Sequence, residues 1–342
     1  MTQDETPLDY QTFLHTKRMV AHTAGIEVSH ADLHATLFPF QQVIVQWALR
    51  KGRAALCADC GLGKSFMQLE WASVVHRYTG ADVLILAPLA VASQTVAEGA
   101  KLGTSVQMCR SQADVHPGLN ITNYEMLGHF DTNHFIGVVL DESSILKSYM
   151  GKTRRALVEA FQSTPYRLCC TATPAPNDVM EIGNHSEFLS IMPSSEMLMR
   201  WFINDTMQSG HYRLKGHAEK DFWEWVASWA LSLRKPSDLG YPDDGFALPE
   251  LQMKHCYVET DIAVGVEQGQ LFRAPKMSAT TLHKEMRITC TDRAQAVADL
   301  VNGSDETWTV WCNTNYEADE LRKRIPDAIE VRGSESVAEK ER

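Results

Sequence analysis

The run Ala58-Asp59-Cys60-Gly61-Leu62-Gly63-Lys64-Ser65 constrains this chain more than any other feature. It follows an apolar stretch of strand length, residues 54–58. It opens a stretch of helix length whose apolar positions include Phe66, Leu69 and Trp71. A glycine turn between a strand and a helix lets main-chain N–H groups close around phosphate oxygens at the positive end of the helix. In that setting Gly61 and Gly63 shape the turn, the Lys64 ammonium reaches the β and γ oxygens, and the Ser65 hydroxyl is a Mg²⁺ ligand. Ala58 stands where the usual pattern has its first glycine. The strand–loop–helix context commits this part of the chain to an α/β unit.

The rest of the first half agrees. Short apolar runs at 54–58, 83–87, 136–140 and 167–170 are separated by helix-length segments, the pattern of a parallel sheet covered on both faces. The third run ends in Asp141 and Glu142. Two carboxylates at the carboxyl end of a strand sit where α/β folds bind ligands. Taken alone, such a pair is also an ordinary helix N-cap. Behind a phosphate loop it reads as Asp141 holding Mg²⁺ and Glu142 polarising an attacking water.

Composition excludes other classes. The 342 residues suggest about two domains. No apolar run approaches the roughly 18 residues of a membrane span, and the acidic start MTQDETPLDY is not a signal peptide. The formal net charge of −11 means that a nucleic-acid partner requires a local basic groove. Eight scattered cysteines, with no leader sequence, read as reduced, buried thiols of a cytoplasmic protein. Cys57 and Cys60 form a CxxC pair with no second pair at zinc spacing.

Weaker motifs surround the loop in order. Phe40-Gln41 precedes it, and a glutamine amide can read an adenine edge. Leu86-Ala87-Pro88-Leu89 and Thr171-Ala172-Thr173-Pro174 end other strands. Phe222, Trp225, Val226 and Trp229 lie at helical spacing, either packed inward or forming a platform for bases. Lys147, Lys152, Arg154 and Arg155 form a basic cluster without an intervening acid, either a solvated face or a DNA contact.

Together, Phe40-Gln41, GLGKS, LAPL, TNYE, DESS and TATP resemble the superfamily-two helicases and translocases. They are most similar to the Swi/Snf-like, phage-encoded DEAD-like helicases, a likeness shared by Thr171–Asp178 and Arg234–Tyr241. The resemblance implies a RecA-like phosphate-loop lobe, a helical insertion and the start of a second RecA-like lobe, with ATP and Mg²⁺ in the cleft and double-stranded DNA across it. By position it implies that Gln41 meets adenine, that Lys64, Asp141 and Glu142 are catalytic, and that Thr171 and Thr173 couple nucleotide state to movement. Pro88, Gln94, Asn123 and Tyr124 match the nucleic-acid track, and Lys147, Arg154 and Arg155 would add a local basic groove.

The expected organisation is an N-terminal helical leader at 1–36, a first lobe at 37–193, a Trp-rich helical insertion at 194–250, a connector at 251–286 and a partial second lobe at 287–342. In that last part, helices are expected at 293–301 and 316–324, and strands at 308–312 and 329–331. The family's later motifs, including arginines that reach the γ-phosphate, have no counterpart before Arg342, so ATP binding with poor turnover is expected. Two readings follow: a DNA translocase or helicase cut short, or an ATP-binding regulatory module completed by another chain. Replication or recombination proteins are the expected further partners. A host-cell cytoplasmic location is expected if the gene is phage-encoded.

Overall fold

The continuous apolar runs become adjacent strands because each is covered on both faces and needs no polar side. The computed structural model describes residues 19–147, 151–204, 212–247, 249–261, 279–333 and 335. The chain separates into two units, Met1–Leu248 and Pro249–Arg342.

In the first unit α1 (Pro39–Lys51) leads into β1 (Arg53–Ala58), and the glycine turn leads into α2 (Lys64–Thr79). There follow β2 (Val83–Ala87), α3 (Ala92–Lys101), β3 (Val106–Met108), β4 (Leu119–Asn123) and β5 (Gly137–Asp141). Next come α4 (Lys152–Ala160), β6 (Tyr166–Cys170), α5 (Ile182–Phe188) and α6 (Ser194–Trp201). A short antiparallel pair, β7 (Phe202–Asn204) and β8 (Tyr212–Leu214), precedes α7 (Glu219–Ala227) and β9 (Ala230–Leu233).

Seven strands form one parallel sheet in the order β3-β4-β2-β5-β6-β1-β9. Strand β6 lies between β1 and β5. The register sets Leu56 of β1 beside Cys170, and Cys170 beside Asp141 of β5. Three motif-bearing strand ends therefore share one carboxyl edge, where open α/β sheets bind ligands.

Alternation along β1 divides two cores. Ala54, Leu56 and Ala58 face the cluster built with α1 and α2, whereas Ala55 and Cys57 face the cluster that includes Leu157, Phe188 and Trp225. Helix α2 buries Met67, Gln68, Leu69, Glu70, Trp71 and Ala72 in succession, so it is enclosed on nearly all sides. Arg167 is wholly buried on β6 and is satisfied by donating to the carbonyls of Gln162 (2.6 Å), Thr164 (2.8 Å) and Phe188 (2.5 Å) and to Ser190 Oγ (2.8 Å). It ties the turn after α4 to the end of α5, and burial lowers its pKa to about 10.

Several expectations need correction. Residues 1–18 of the expected leader lie outside the described residues, and 19–36 hold only a 3₁₀ turn, His30–Asp32. There the main chain instead seals a helix end: Gly25 N donates to Arg50 O (3.1 Å) and Ile26 N to Leu49 O (2.8 Å). The stretch 194–250 is not simply helical, because β9 adds a seventh strand beside β1. Its aromatics do pack inward: Phe222, Trp225 and Trp229 are buried, and Trp201 stacks on Trp225 at 4.7 Å. Cys60, Cys256 and Cys312 are exposed, unlike the other five cysteines, and all eight are free.

The second unit contains α8 (Ala279–Ile288), α9 (Cys290–Asn302) and α10 (Asn315–Arg324). The latter two cover the expected helices, while α8 begins within the stretch expected to be a connector. No strand forms at 308–312 or 329–331. Trp308, Trp311, Ile329 and Val331 are exposed, and a lone extended segment leaves its backbone groups without ladder partners. No helix among the described residues is long and apolar enough to cross a membrane.

Candidate nucleotide site

The glycine turn has the backbone that its sequence requires. Gly61 (φ +83°) and Gly63 (φ +75°) adopt the left-handed region that side chains disfavour. Lys64 is the first residue of α2, and its Nζ donates back to the carbonyls of Ala58 (2.8 Å) and Asp59 (3.1 Å). The lysine thereby bridges the end of β1 and the turn, while the first N–H groups of α2 lack helical acceptors, as at any helix start. Burial pushes the neighbouring Cys57 thiol up to about 12, so it stays protonated.

Gln41, in the first turn of α1, is 3% exposed. Its Oε1 accepts from Phe38 N (2.9 Å) and its Nε2 donates to Leu62 O (2.9 Å), so both ends of the carboxamide hold main chain rather than facing a free pocket. Phe246 packs edge-on against Phe38 and Phe40 at 5.1 and 5.2 Å and covers the same helix start.

Asp141 closes β5 and is buried; Glu142 follows with φ +51°, uncommon for a residue with a side chain. Glu142 N donates to Asp141 Oδ1 (3.1 Å). Burial raises the Asp141 pKa, the Gln68 amide opposes that rise, and the Glu142 charge adds to it. Thr171, at the end of the strand between, donates its hydroxyl to Glu142 Oε2 (3.4 Å) and accepts from Thr173 N (3.0 Å). Only one of the two expected hydroxyls therefore faces the carboxylate, because the Thr173 side chain is exposed.

Behind this pair, Ser143 Oγ lies 3.1 Å from His185 Nε2, both fully enclosed. Burial lowers the His185 pKa to about 4 and keeps the ring neutral. Tyr124 is directed to the same place: its hydroxyl donates to the Asp141 carbonyl (2.6 Å), and burial raises its pKa well above normal. Its hydroxyl thus belongs to the acidic strand rather than to an exposed track.

The remaining expected nucleic-acid residues separate. Pro88 is half-buried after β2. Gln94 is exposed on α3 and donates to Glu98 Oε1 (3.0 Å). Asn123 Oδ1 caps a short 3₁₀ turn by accepting from Met126 N (3.1 Å). Lys147 and Arg155 are exposed, but Arg154 is buried and bonds Glu187 Oε2 at 2.7 Å. Helical spacing explains the split: Arg154 and Leu157 share the inward face of α4, and Arg155 does not.

Sequence reasoning missed Gln68, the Ser143–His185 pair and Phe246. Gln68 stands one turn after Lys64 on the same helical face, a spacing that signals proximity to the site. The other contacts join positions remote in sequence and have no local signature. Among the described residues no group of three or more His, Cys, Asp or Glu side chains could hold a metal ion. The oxygens of Ser65 and Asp141 nevertheless suit Mg²⁺, which prefers a few protein oxygens together with water and phosphate.

No protein-family profile matches the chain, and no curated protein matches it. Among solved structures it is similar to the Sulfolobus solfataricus SWI2/SNF2 ATPase core in complex with double-stranded DNA. The TM-score is 0.50 and the identity 20%, over 61% of this chain and 46% of that one. The SWI2/SNF2 ATPase core domain of the same organism gives 0.49 and 18% over 63% and 48%, respectively. The UvsW helicase of bacteriophage T4 gives 0.39 and 12% over 55% and 67%. The chain spans about half the length of the SWI2/SNF2 structures it matches. With its seven-stranded parallel sheet and helices on both faces, the first unit has a RecA-like α/β fold, similar to that of the Sulfolobus ATPase core.

Proposed function

We propose that this chain binds ATP at the glycine turn and hydrolyses it, stimulated by double-stranded DNA, to drive movement along that DNA. The observation that carries this reading is the strand order β5-β6-β1, which aligns the acidic pair, Thr171 and the phosphate loop on one edge. The DNA complex of the similar Sulfolobus core supports the choice of partner.

In this reading the main-chain N–H groups of the turn and Lys64 hold the phosphates, and Lys64 exchanges its two carbonyl partners for phosphate oxygens. Gln41 meets the adenine edge by a similar exchange. Ser65 and Asp141 would hold Mg²⁺, which when bound neutralises charge on the β and γ oxygens. Glu142 orients and polarises the attacking water, its carboxylate positioned by the Thr171 hydroxyl. Pro88, Gln94, Asn123, Lys147 and Arg155 are the proposed DNA-facing residues, with Arg154 assigned to packing and Tyr124 to supporting Asp141.

The test compares two variants by nucleotide binding and by DNA-stimulated phosphate release. Lys64→Ala should weaken ATP binding by roughly tenfold or more, because charge-assisted phosphate contacts are lost. Glu142→Gln should bind ATP like wild type and lose hydrolysis, since an amide cannot act as a base. Hydrolysis by Glu142→Gln at the wild-type rate would reject the assignment.

A further inference from the structure

Glu142 and Ser190 are the two non-glycine residues with left-handed backbone among the described residues, at φ +51° and +52°. Ser190 follows the end of α5, where such a residue is ordinary. Glu142 has no helix end to close. A side chain kept in that region is a local strain that the surrounding structure must impose.

The residues placed to impose it come from α5. The chain leaves Glu142 in a 3₁₀ turn, Ser143–Lys147, which Ile145 N closes by donating to the Glu142 carbonyl (3.2 Å). Two consecutive residues of α5 grip that turn. His185 Nε2 meets Ser143 Oγ at its first residue (3.1 Å). Asn184 Nδ2 donates to the carbonyls of its last two, Leu146 (2.9 Å) and Lys147 (3.2 Å). Asn184 and His185 are each 1% exposed and Ser143 is wholly buried, so water does not compete for these bonds. Helix α5 is itself fixed, by Arg167 on the Phe188 carbonyl and by Arg154 on Glu187. The same stretch of chain includes Thr171, whose hydroxyl reaches the Glu142 carboxylate. Residues 171–185 thus hold Glu142 both at its carboxylate and at the turn that follows it.

We propose that Asn184 and His185 are positioning residues for Glu142: they hold the turn after it, keep its backbone left-handed and so fix where its carboxylate meets the attacking water. Among the described residues no hydrogen bond joins either of them to the phosphate loop, so ATP binding does not depend on them. A displacement of about 1 Å at a reacting group can cost roughly a hundredfold in rate. The effect on hydrolysis rests on the ATPase reading above; the hold on the turn does not.

Three variants of the full chain test this: Ser143→Ala, Asn184→Ala and His185→Phe, with His185→Gln as the conservative replacement that keeps a hydrogen-bonding group. In the three, kcat for DNA-stimulated hydrolysis should fall about tenfold or more, with KM for ATP within about twofold of wild type. His185→Gln should recover most of the loss. Without nucleotide, exchange of the Ile145 amide should quicken about tenfold or more in the same three, while the amides of α2 exchange at the wild-type rate. Where a variant at 184 or 185 does not fold, Ser143→Ala, which removes one hydroxyl, decides. Wild-type kcat in the folded variants, or a His185→Phe loss that glutamine does not relieve, overturns the assignment. Faster exchange through α2 as well, or failure of Ser143→Ala to fold, also overturns it, since either makes these contacts general supports of the core. A wild-type chain that hydrolyses no ATP fails the ATPase reading instead, and the Ile145 amide then decides on the hold alone.

Discussion

The Tyr124 hydroxyl donates to the main-chain carbonyl of Asp141 at 2.6 Å, joining the end of β4 to the last residue of β5 across the intervening β2. The bond fixes the strand end from which both carboxylates project. Tyr124→Phe keeps the ring and removes only the donor. We expect a loss of about 1 kcal/mol, the net worth of one hydrogen bond. In a unit of this size that lowers the thermal midpoint by roughly 2–4 °C. Calorimetric scans of the two proteins measure it, and equal midpoints would show that the bond is not formed in solution.

How far the fold could be read from sequence depends on what hides each element. Strands β1, β2, β5 and β6 are apolar throughout or nearly so, and their runs stand out. Strand β4 buries Asn120 and Thr122 along with Leu119 and Ile121, with the Asn120 amide satisfied by the His116 carbonyl at 2.8 Å, so a buried strand reads as polar. Strand β3 has only three residues at the sheet edge. Strand β9 starts directly after Trp229, whose helical spacing from Phe222 and Trp225 draws the eye past the helix end. At the site, Lys64, Asp141, Glu142 and Thr171 are legible because a strand end gives each a fixed place. The inward turn of Arg154 follows from α4 periodicity, which a count of charges ignores.

Gly63 and Gln41 are in mutual contact, and the contact can be tested. A Cβ added at Gly63 would lie 2.5 Å from Gln41 Nε2, in a backbone at φ +75°. Gly63→Ala should therefore cost about 1–2 kcal/mol for the left-handed backbone, with a further cost for displacing the amide. In the double variant with Gln41→Ala the displacement disappears while the backbone cost remains. Denaturant unfolding should show the pair non-additive by at least about 0.5 kcal/mol. Strict additivity would mean that the amide moves aside freely.

The basic residues after the acidic pair should divide by assay. Arg154, buried against Glu187, should act on stability: Arg154→Gln removes the charged partner of a carboxylate that then keeps only its hydrogen bonds from Ser194, and destabilises by roughly 1–3 kcal/mol. Its effect on the salt dependence of DNA binding should be nil. Lys147→Gln and Arg155→Gln should each flatten the slope of log affinity against log salt by up to about 0.9 on duplex DNA. Stability should change little, as is usual at exposed positions. A slope that responds to Arg154 but not to the other two would reverse the assignment.

His185 makes folding sensitive to acid. Its imidazole is fully buried and neutral, with a pKa lowered to about 4 chiefly by burial; the nearby Glu181 favours the charged form only in part. In the unfolded chain the ring returns to about 6.5. Below that pH the unfolded state takes up a proton that the folded state refuses, so unfolding becomes easier as pH falls. The contribution is fully present above about pH 6.5 and is lost progressively down to about pH 4, roughly 3 kcal/mol across the window at 1.36 kcal/mol per unit. His185→Gln keeps a polar group near Ser143 Oγ and cannot titrate. Urea unfolding of both proteins from pH 7.5 to pH 4 isolates the term, because the other titrating groups are common to both. The stability difference should shift in favour of the glutamine variant as pH falls, with its slope confined to the interval between about 6.5 and 4. A difference that stays constant through that interval would mean that the buried ring is not what makes the fold sensitive to acid.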